Sequence, residues 1–287
     1  MKRILAVVGI ILIFGVIVVS NRLQENRVIV EFNTLVAKDN VTPAELIGYI
    51  DENINVVSKQ QISQMVLGLE AVQKASLTQW QQRFEKNELQ IEIAKVYRNG
   101  LSKTDVATIQ AAELKEIVLT TLDNGYKVET AEGFYFPVID YAFYQKYHNA
   151  VTPDLAAYLE IMAVESNETP IKDAALMIGW DEIVRRALRQ EQFIKQYNTS
   201  PLVGAMQQVL KRYVSFALFG ANNTPLFCYN SRQMEPEAKR VYLEESWNKD
   251  NGSFSALMVE YLEVLKKNDY RLNSEVDVFR KKIINAF

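Results

Sequence analysis

Cysteine and histidine are almost absent from this sequence, which contains one residue of each among 287. A single Cys excludes an intramolecular disulfide, and one His with one Cys cannot supply the common zinc or iron–sulfur ligand sets. We therefore expect no metal and no cofactor. The 32 basic and 35 acidic side chains nearly cancel, to a formal net charge of −3, which offers no electrostatic basis for binding nucleic acid. Glycine is also scarce, with 11 residues, which favours helices over turn-rich sheets.

The start of the chain, residues 1–27, contains the one long hydrophobic run. A basic beginning, Met1-Lys2-Arg3, precedes 16 uncharged and mostly apolar residues from Ile4 to Val19. As a helix this run would span about 24 Å, slightly less than a bilayer core. It predicts a membrane partner through residues 4–20, with an uncleaved anchor favoured over a signal peptide cleaved after Ser20. In both cases the basic start remains inside and the rest of the chain is exported.

The predicted exported part, residues 28–287, is acidic, with 28 basic and 34 acidic side chains. An acidic domain gains nothing from an anionic membrane surface or from DNA. We expect an extracytoplasmic location at the cell membrane, or secretion if the anchor is cleaved, and a partner in the envelope or cell wall.

Helical periodicity dominates the exported part, which predicts an all-α fold with one small β-hairpin near residues 126–138. Thr42-Pro43-Ala44-Glu45 has the capping pattern of a helix start. Residues 58–85 carry an apolar stripe at spacings of three and four, which includes Leu69. Further helices are predicted at 88–98, 104–123, 140–148, 153–166, 181–198, 201–219, 235–248, 254–268 and 274–285.

The predicted hairpin is the one natural boundary in this pattern. Two β-type runs flank Ala131-Glu132-Gly133, whose glycine suits a tight turn. The hairpin separates an N-terminal helical region, residues 28–124, from a C-terminal region, residues 125–287. No linker divides them, so we expect one continuous globular unit.

Several segments resemble exported, often lipoprotein-like, proteins of spore-forming Gram-positive bacteria. The similar segments are residues 125–133, 135–141, 162–166 and 222–227. The resemblance covers most of residues 40–245 and implies export without implying an activity. Many members of that group carry a lipid-bearing Cys after the signal, and this chain has none there.

Two carboxylates fall on helix faces that also carry apolar residues. On a helical wheel Glu165 shares a face with Leu155, Tyr158 and Met162, and Glu191 lies at the centre of an apolar face of the next long helix. The neighbouring Arg185, Arg186 and Arg189 project outward on the same wheel. Burial would raise the pKa of either carboxyl, as a general acid requires, although pairing with a distant cation or with amides is the structural alternative.

The residues around Glu165 also resemble a catalytic motif. Ala163-Val164-Glu165-Ser166-Asn167 is similar to the Glu-Ser motif of lytic transglycosylases, exported helical enzymes that cleave peptidoglycan. By that resemblance Glu165 would protonate the glycosidic oxygen. The downstream element of the family is matched loosely by Ala174–Met177, without its glycines.

A concentration of aromatic residues between 134 and 147 supplies a second hypothesis, a ligand-binding cleft. Aromatic faces beside a carboxylate suit sugars or extended peptides, although packing of these rings in the core is the favoured explanation. The candidate ligand-binding residues are Tyr135, Asp140, Tyr141, Tyr144, Asn222 and Asn223.

The single Cys and the single His do not indicate a catalytic pair. Cys228 lies between Phe227 and Tyr229, an apolar sequence setting that predicts a protonated, inert thiol. His148 follows a predicted helix end, where its charge would suit the helix dipole. The favoured interpretation is a membrane-anchored, extracytoplasmic, non-enzymatic envelope or interaction protein. The alternatives are a peptidoglycan-cleaving enzyme that uses Glu165, with Glu191 as a second candidate acid, and an extracytoplasmic ligand-binding protein.

Overall fold

The computed structural model describes residues 23–98 and 100–286. Within them the chain is mainly helical, with three small two-stranded β-ribbons, so the predicted fold class is confirmed. The chain divides into two compact units, Met1–Thr152 and Pro153–Phe287. The predicted membrane segment, residues 4–20, lies outside the described residues.

The first unit contains six helices that the structure describes, followed by one hairpin. In chain order its elements are α1 (residues 23–36), α2 (Pro43–Asn53), α3 (Lys59–Arg83), α4 (Asn87–Val96), α5 (Lys103–Ala107), α6 (Ala112–Asp123), β1 (Tyr126–Ala131), β2 (Phe134–Ile139) and a 3₁₀ helix (Tyr141–Tyr147).

The start of α2 shows how the sequence sets these boundaries. The hydroxyl of Thr42 accepts the backbone N–H of Glu45 at 3.3 Å, and the Glu45 carboxylate accepts the N–H of Thr42 at 2.8 Å. Pro43 occupies the first helical position, where its missing N–H costs nothing. The capping box predicted from the sequence is therefore confirmed.

The apolar stripe of α3 forms much of the core of the first unit. Ile62, Met65, Val66 and Leu69 are fully buried, and Trp80 is 4% exposed. The helix packs against α2 and β2. A further cluster joins Phe84 to apolar residues of α4, α6 and β1.

The predicted hairpin is present as an antiparallel pair of strands. Its register places Ala131 opposite Phe134, so that Glu132 and Gly133 form a two-residue turn. Both turn residues have positive φ, 50° and 77°, as a type I′ turn requires. The hairpin packs on α3, α4 and α6.

The second unit is built around α8 and α9, which pack against each other. Its elements are α7 (Pro153–Asn167), β3 (Ile171–Lys172), β4 (Ala175–Leu176), α8 (Trp180–Gln196), α9 (Val203–Phe219), β5 (Gly220–Ala221), β6 (Thr224–Pro225), α10 (Pro236–Glu244), a second 3₁₀ helix (Lys249–Asn251), α11 (Ser253–Lys267) and α12 (Ser274–Ala286).

Some local features differ from the prediction. The helix predicted over 104–123 is two helices, α5 and α6, because the backbone leaves the helical conformation after Thr108 and is extended at Ala111, which precedes α6. The segment predicted as a helix over 140–148 is a 3₁₀ helix. The ribbons β3–β4 and β5–β6 were not predicted, since two-residue strands show no alternating pattern.

The sequence placed the regional boundary at residues 124 and 125, whereas the two compact units divide between Thr152 and Pro153. The sequence-based division stays a prediction. Of the helices that the structure describes, none combines the length and the apolar character needed to cross a membrane.

Candidate functional sites

Glu165, near the end of α7, is buried with 8% of its surface exposed. The Tyr213 hydroxyl, from α9, lies 2.7 Å from Oε1 and 2.8 Å from Oε2 and donates to the carboxylate. The Gln190 amide donates to Oε1 at 3.4 Å, and Arg186 Nη1 lies 3.8 Å from Oε1. Burial raises the pKa of Glu165 above its ordinary value, and the Tyr213 hydrogen bond and the Arg186 charge offset part of that rise.

Arg186 is the cation that meets Glu165, which corrects the prediction that it projects outward. Its side chain is 3% exposed; Nη2 pairs with Glu168 at 2.9 Å, and Nε pairs with Glu182 at 2.5 Å. The helical wheel failed because it projects only the Cα–Cβ direction. A long arginine side chain can turn along its helix toward carboxylates on a neighbouring segment.

Glu191, the second candidate acid, is 4% exposed and caps α11. Its Oε1 accepts the backbone N–H of Phe254 at 2.5 Å, and its Oε2 accepts the Ser255 hydroxyl at 2.5 Å. The N–H of Ser255 lies 3.3 Å from both oxygens. A carboxylate at this position compensates the unpaired amides and the positive end of the helix dipole.

Gly252 precedes this helix start with φ 154° and permits the approach of Glu191. A Cβ atom at this position would collide with the Glu191 carboxyl group. Both predicted carboxylates are therefore buried, as expected, and they take part in separate sets of contacts.

The aromatic residues Tyr141 and Tyr144 are part of the core of the first unit, with 6% and 0% exposed. The Tyr141 hydroxyl donates to Oε1 of Glu70 at 2.6 Å, and the Tyr144 hydroxyl donates to Gln73. Packing, the alternative noted for this cluster, thus accounts for both rings.

Gln73 is the polar residue at the centre of this core, and the sequence analysis did not single it out. It is fully buried, and its amide donates to the carbonyls of Asn124, at 2.8 Å, and Gly125, at 3.2 Å. Gly125 has φ 72°, and a Cβ atom there would lie 2.6 Å from Gln73 Nε2. Close approach and backbone conformation thus both require glycine at this position.

Tyr135 and Asp140 have structural contacts as well. The backbone N–H of Tyr135 donates to the Gln90 side chain at 2.7 Å, and its ring lies 5.1 Å from that of Tyr97. Asp140 accepts the N–H of Ala142 at 3.0 Å and caps the 3₁₀ helix.

Asn222 and Asn223 form the exposed turn between β5 and β6, in the second unit. Asn223 joins this ribbon to the β3–β4 turn, since its backbone N–H donates to Ala174 at 2.8 Å and its side chain donates to Asp173 at 2.9 Å. The carbonyl of Asn222 accepts the Tyr229 hydroxyl at 2.8 Å. The six candidate ligand residues therefore belong to different units and do not share one set of contacts.

A cleft of about 370 Å³ lies beside β5–β6. It is lined by Asn222, by the 227–232 segment that follows β6, by the end of α9 and by Arg280 of α12; we call it the Arg280 cleft. Asn222 is the one candidate ligand residue of the sequence analysis among its lining residues.

Cys228 also lines this cleft, and its setting differs from the apolar environment predicted from its neighbours in sequence. The residue is exposed rather than enclosed by its aromatic neighbours. Hydrogen bonds from Ser231 and from the backbone lower the pKa of the thiol below its ordinary value. Adjacent residues in sequence do not define a side-chain environment at a turn.

Within the described residues no group of three or more His, Cys, Asp or Glu side chains is arranged to hold a metal ion. The geometry thus defines a mainly helical protein with buried carboxylates and a cleft that Arg232 and Arg280 line without an acidic residue. The chain matches no known family model, and comparison with curated proteins and with solved structures finds no significant match. The two resemblances noted in the sequence stay predictions.

Proposed function

We propose that this chain is a membrane-anchored, extracytoplasmic helical protein with a non-enzymatic envelope or protein-interaction role. One observation carries the proposal: donors of the chain itself occupy the carboxyl groups of both candidate acids. Tyr213 and Arg186 meet Glu165, and Phe254 and Ser255 meet Glu191. A general acid must reach the proton acceptor of its substrate, and these contacts favour a structural role instead.

Attachment to the membrane is supported by the sequence pattern of residues 4–20, and the location can be tested with the native thiol. Cys228 is the single cysteine of the chain and is exposed. We expect a membrane-impermeant maleimide to label the full-length protein on intact protoplasts of a Gram-positive host. The labelled protein should sediment with the membranes.

Two control variants make the labelling specific. Cys228→Ser should abolish the signal, and Lys2→Cys in that background should be labelled only after the membrane is permeabilised. Labelling of the wild type only after permeabilisation would exclude export. Recovery of the protein from the medium would exclude the anchored form.

The enzymatic alternative makes a different prediction, which involves Glu165. We expect no release of muropeptides from purified cell wall by the wild type or by Glu165→Gln. Release by the wild type that is lost in Glu165→Gln, at an unchanged melting temperature, would establish the lytic activity and overturn the non-enzymatic proposal.

A further inference from the structure

The Arg280 cleft carries positive charge in an acidic chain. Its lining residues include the guanidinium groups of Arg232 and Arg280 and no Asp or Glu. Residues 28–287 have 34 acidic and 28 basic side chains. The charge of the side chains that line the cleft is therefore opposite in sign to the net charge of this part of the chain. A concave surface with charges of one sign concentrates the potential and attracts ions of opposite sign.

Arg280 is held in place by its neighbours. Its Nε and Nη2 donate to Oδ1 of Asp277, at 2.9 and 2.7 Å, and its side chain is 13% exposed. The guanidinium carbon lies 4.6 Å from the ring centre of Phe219 and 5.6 Å from that of Phe227. A guanidinium fixed in this way loses little conformational entropy when it binds a ligand.

One edge of this guanidinium retains hydrogen-bonding capacity. Among the described residues, no hydrogen bond to a protein acceptor is made by Arg280 Nη1, and the residue lines the cleft. Asp277 neutralises part of the positive charge of Arg280, but it also pairs with Lys281, whose Nζ lies 2.6 Å from Asp277 Oδ2. The surroundings of Arg280 therefore remain net positive when Arg232 is included.

Arg232 is held in a backbone conformation that is unfavourable for arginine. Its φ is 61°, in the left-handed region, where glycine or asparagine is the usual residue. Its N–H donates to the carbonyl of Cys228 at 2.9 Å, and its carbonyl accepts the N–H of Leu272 at 2.8 Å. Its side chain forms no ion pair with a carboxylate of the described residues, so a strained residue brings an unpaired charge to the cleft.

The rest of the cleft supplies apolar and neutral polar surface. Phe219 and the exposed Tyr229 contribute aromatic surface, and the exposed Asn222 adds a neutral polar side chain. A volume of about 370 Å³ is within the range of small-molecule sites. A ligand that fits both features needs an anionic group for the arginines and an apolar body for the rings.

We propose that the Arg280 cleft binds a small organic anion, one with a carboxylate or a phosphate group attached to an apolar or aromatic body. This inference does not depend on the membrane attachment or on the envelope role proposed above. A carboxylate and a phosphate both accept charge-assisted hydrogen bonds from a planar guanidinium. The experiment below distinguishes between them.

The test is titration of the purified full-length protein in detergent micelles. The probes are benzoate and phenyl phosphate, with benzyl alcohol as the neutral analogue and inorganic phosphate as the analogue without a ring. We expect saturable binding of at least one aromatic anion and none of benzyl alcohol. Inorganic phosphate should bind at least tenfold more weakly than phenyl phosphate. The better of the two aromatic anions identifies the preferred group.

Arg232→Gly separates binding from folding, because glycine tolerates the left-handed conformation. We expect this variant to melt at or above the wild-type temperature and to bind the aromatic anion at least tenfold more weakly. Arg240→Gln removes an exposed cation of α10, outside the cleft, and should bind like the wild type.

The native thiol gives a second measurement that needs no variant. A bound aromatic anion should slow maleimide labelling of Cys228, and benzyl alcohol should not. The proposal is wrong if neither aromatic anion binds saturably, or if Arg232→Gly and the wild type bind the probe with the same Kd. It is also wrong if benzyl alcohol protects Cys228 as well as the anions do.

Discussion

The Glu191 carboxylate, on α8, accepts the backbone N–H of Phe254 at 2.5 Å and so caps a helix that begins 62 residues further along the chain. A capping residue normally directly precedes its helix. Here Gly252 occupies that position and has no side chain that could cap α11. The acid therefore joins the sequence-distant helices α8 and α11.

Glu191→Ala should destabilise the second unit by about 2–3 kcal/mol. The change removes a charged acceptor and leaves the first amides of α11 buried without a partner. Urea or thermal unfolding measures the effect. Gln192→Ala, a truncation at the neighbouring exposed position of α8, should change stability by less than about 0.5 kcal/mol. Equal effects of the two variants would contradict the capping role.

Gly252→Ala should be strongly destabilising, because its Cβ atom would displace the Glu191 carboxyl group. The cost should be smaller in the Glu191→Ala background, where the collision is removed and only backbone strain remains. A double-mutant cycle measures this coupling, which we expect to exceed about 1 kcal/mol. Additive effects would show that the two residues act independently.

Glu165→Gln should alter the pH dependence of stability. Burial raises the pKa of the folded-state carboxyl, so the folded state keeps this proton at pH values where the unfolded state has lost it. The associated stability is complete below the unfolded pKa and is lost as the pH rises through the folded pKa. Relative to Glu165→Gln, the wild type should therefore lose stability over that interval, by about 1.4 kcal/mol for each pH unit between the unfolded and folded pKa.

Charged side chains near Glu165 also affect the pKa of its carboxyl group. Arg186 and Arg212 lower the pKa of Glu165, and Glu182 raises it. The free energy of unfolding of the wild type and of Glu165→Gln is measured between about pH 4 and pH 8. In the difference between the two, the contributions of the carboxyl groups that both proteins contain cancel. A difference that does not vary with pH would contradict the raised pKa.

Leu69→Ala should destabilise the protein by about 2–4 kcal/mol, because Leu69 is fully buried in the apolar face of α3. Ile91, on α4, is 58% exposed, and Ile91→Ala should cost less than about 0.5 kcal/mol. Unchanged melting of Leu69→Ala, together with loss of self-association, would instead identify this face as an interface.

Gln73→Ala should cost about 2–4 kcal/mol, because it removes the buried amide that donates to the carbonyls of Asn124 and Gly125. Gln81→Ala provides the comparison on the same helix, since Gln81 makes a single long hydrogen bond of 3.4 Å, to the Pro137 carbonyl. Thermal melting of both variants measures the difference. Similar melting temperatures would show that the Gln73 hydrogen bonds contribute little.

The sequence was most informative where the signal is local. The Thr42–Glu45 capping box, the apolar stripe of α3 and the hairpin turn at Glu132-Gly133 each depend on residues a few positions apart, and the structure confirms all three. The burial of Glu165 and Glu191 followed from the same helical periodicity.

The partners of these carboxylates could not be derived in this way. Tyr213 lies 48 residues from Glu165, and Ser255 lies 64 residues from Glu191. Such pairings depend on how helices pack, which a helical wheel does not contain. The buried Gln73 did leave a signal, since it follows Leu69 by four residues and precedes Trp80 by seven, on the same stripe of α3.

The Arg280 cleft could not be predicted from the sequence, for the same reason. Arg280 and the 227–232 segment are separated by about 50 residues, and the left-handed conformation of Arg232 has no sequence signature comparable to a glycine. Asn222 was a candidate because its side-chain amide can donate hydrogen bonds to a ligand, and the structure adds the cationic groups that line the same cleft.

The Glu191 cap has a consequence for local motion. The first amides of a helix ordinarily exchange their hydrogens rapidly with solvent, because they lack acceptors within the helix. In α11 the N–H groups of Phe254 and Ser255 face a buried carboxylate, so exchange there requires α8 and α11 to separate locally. The beginning of α11 should therefore be as protected in deuterium exchange as the middle of an ordinary helix.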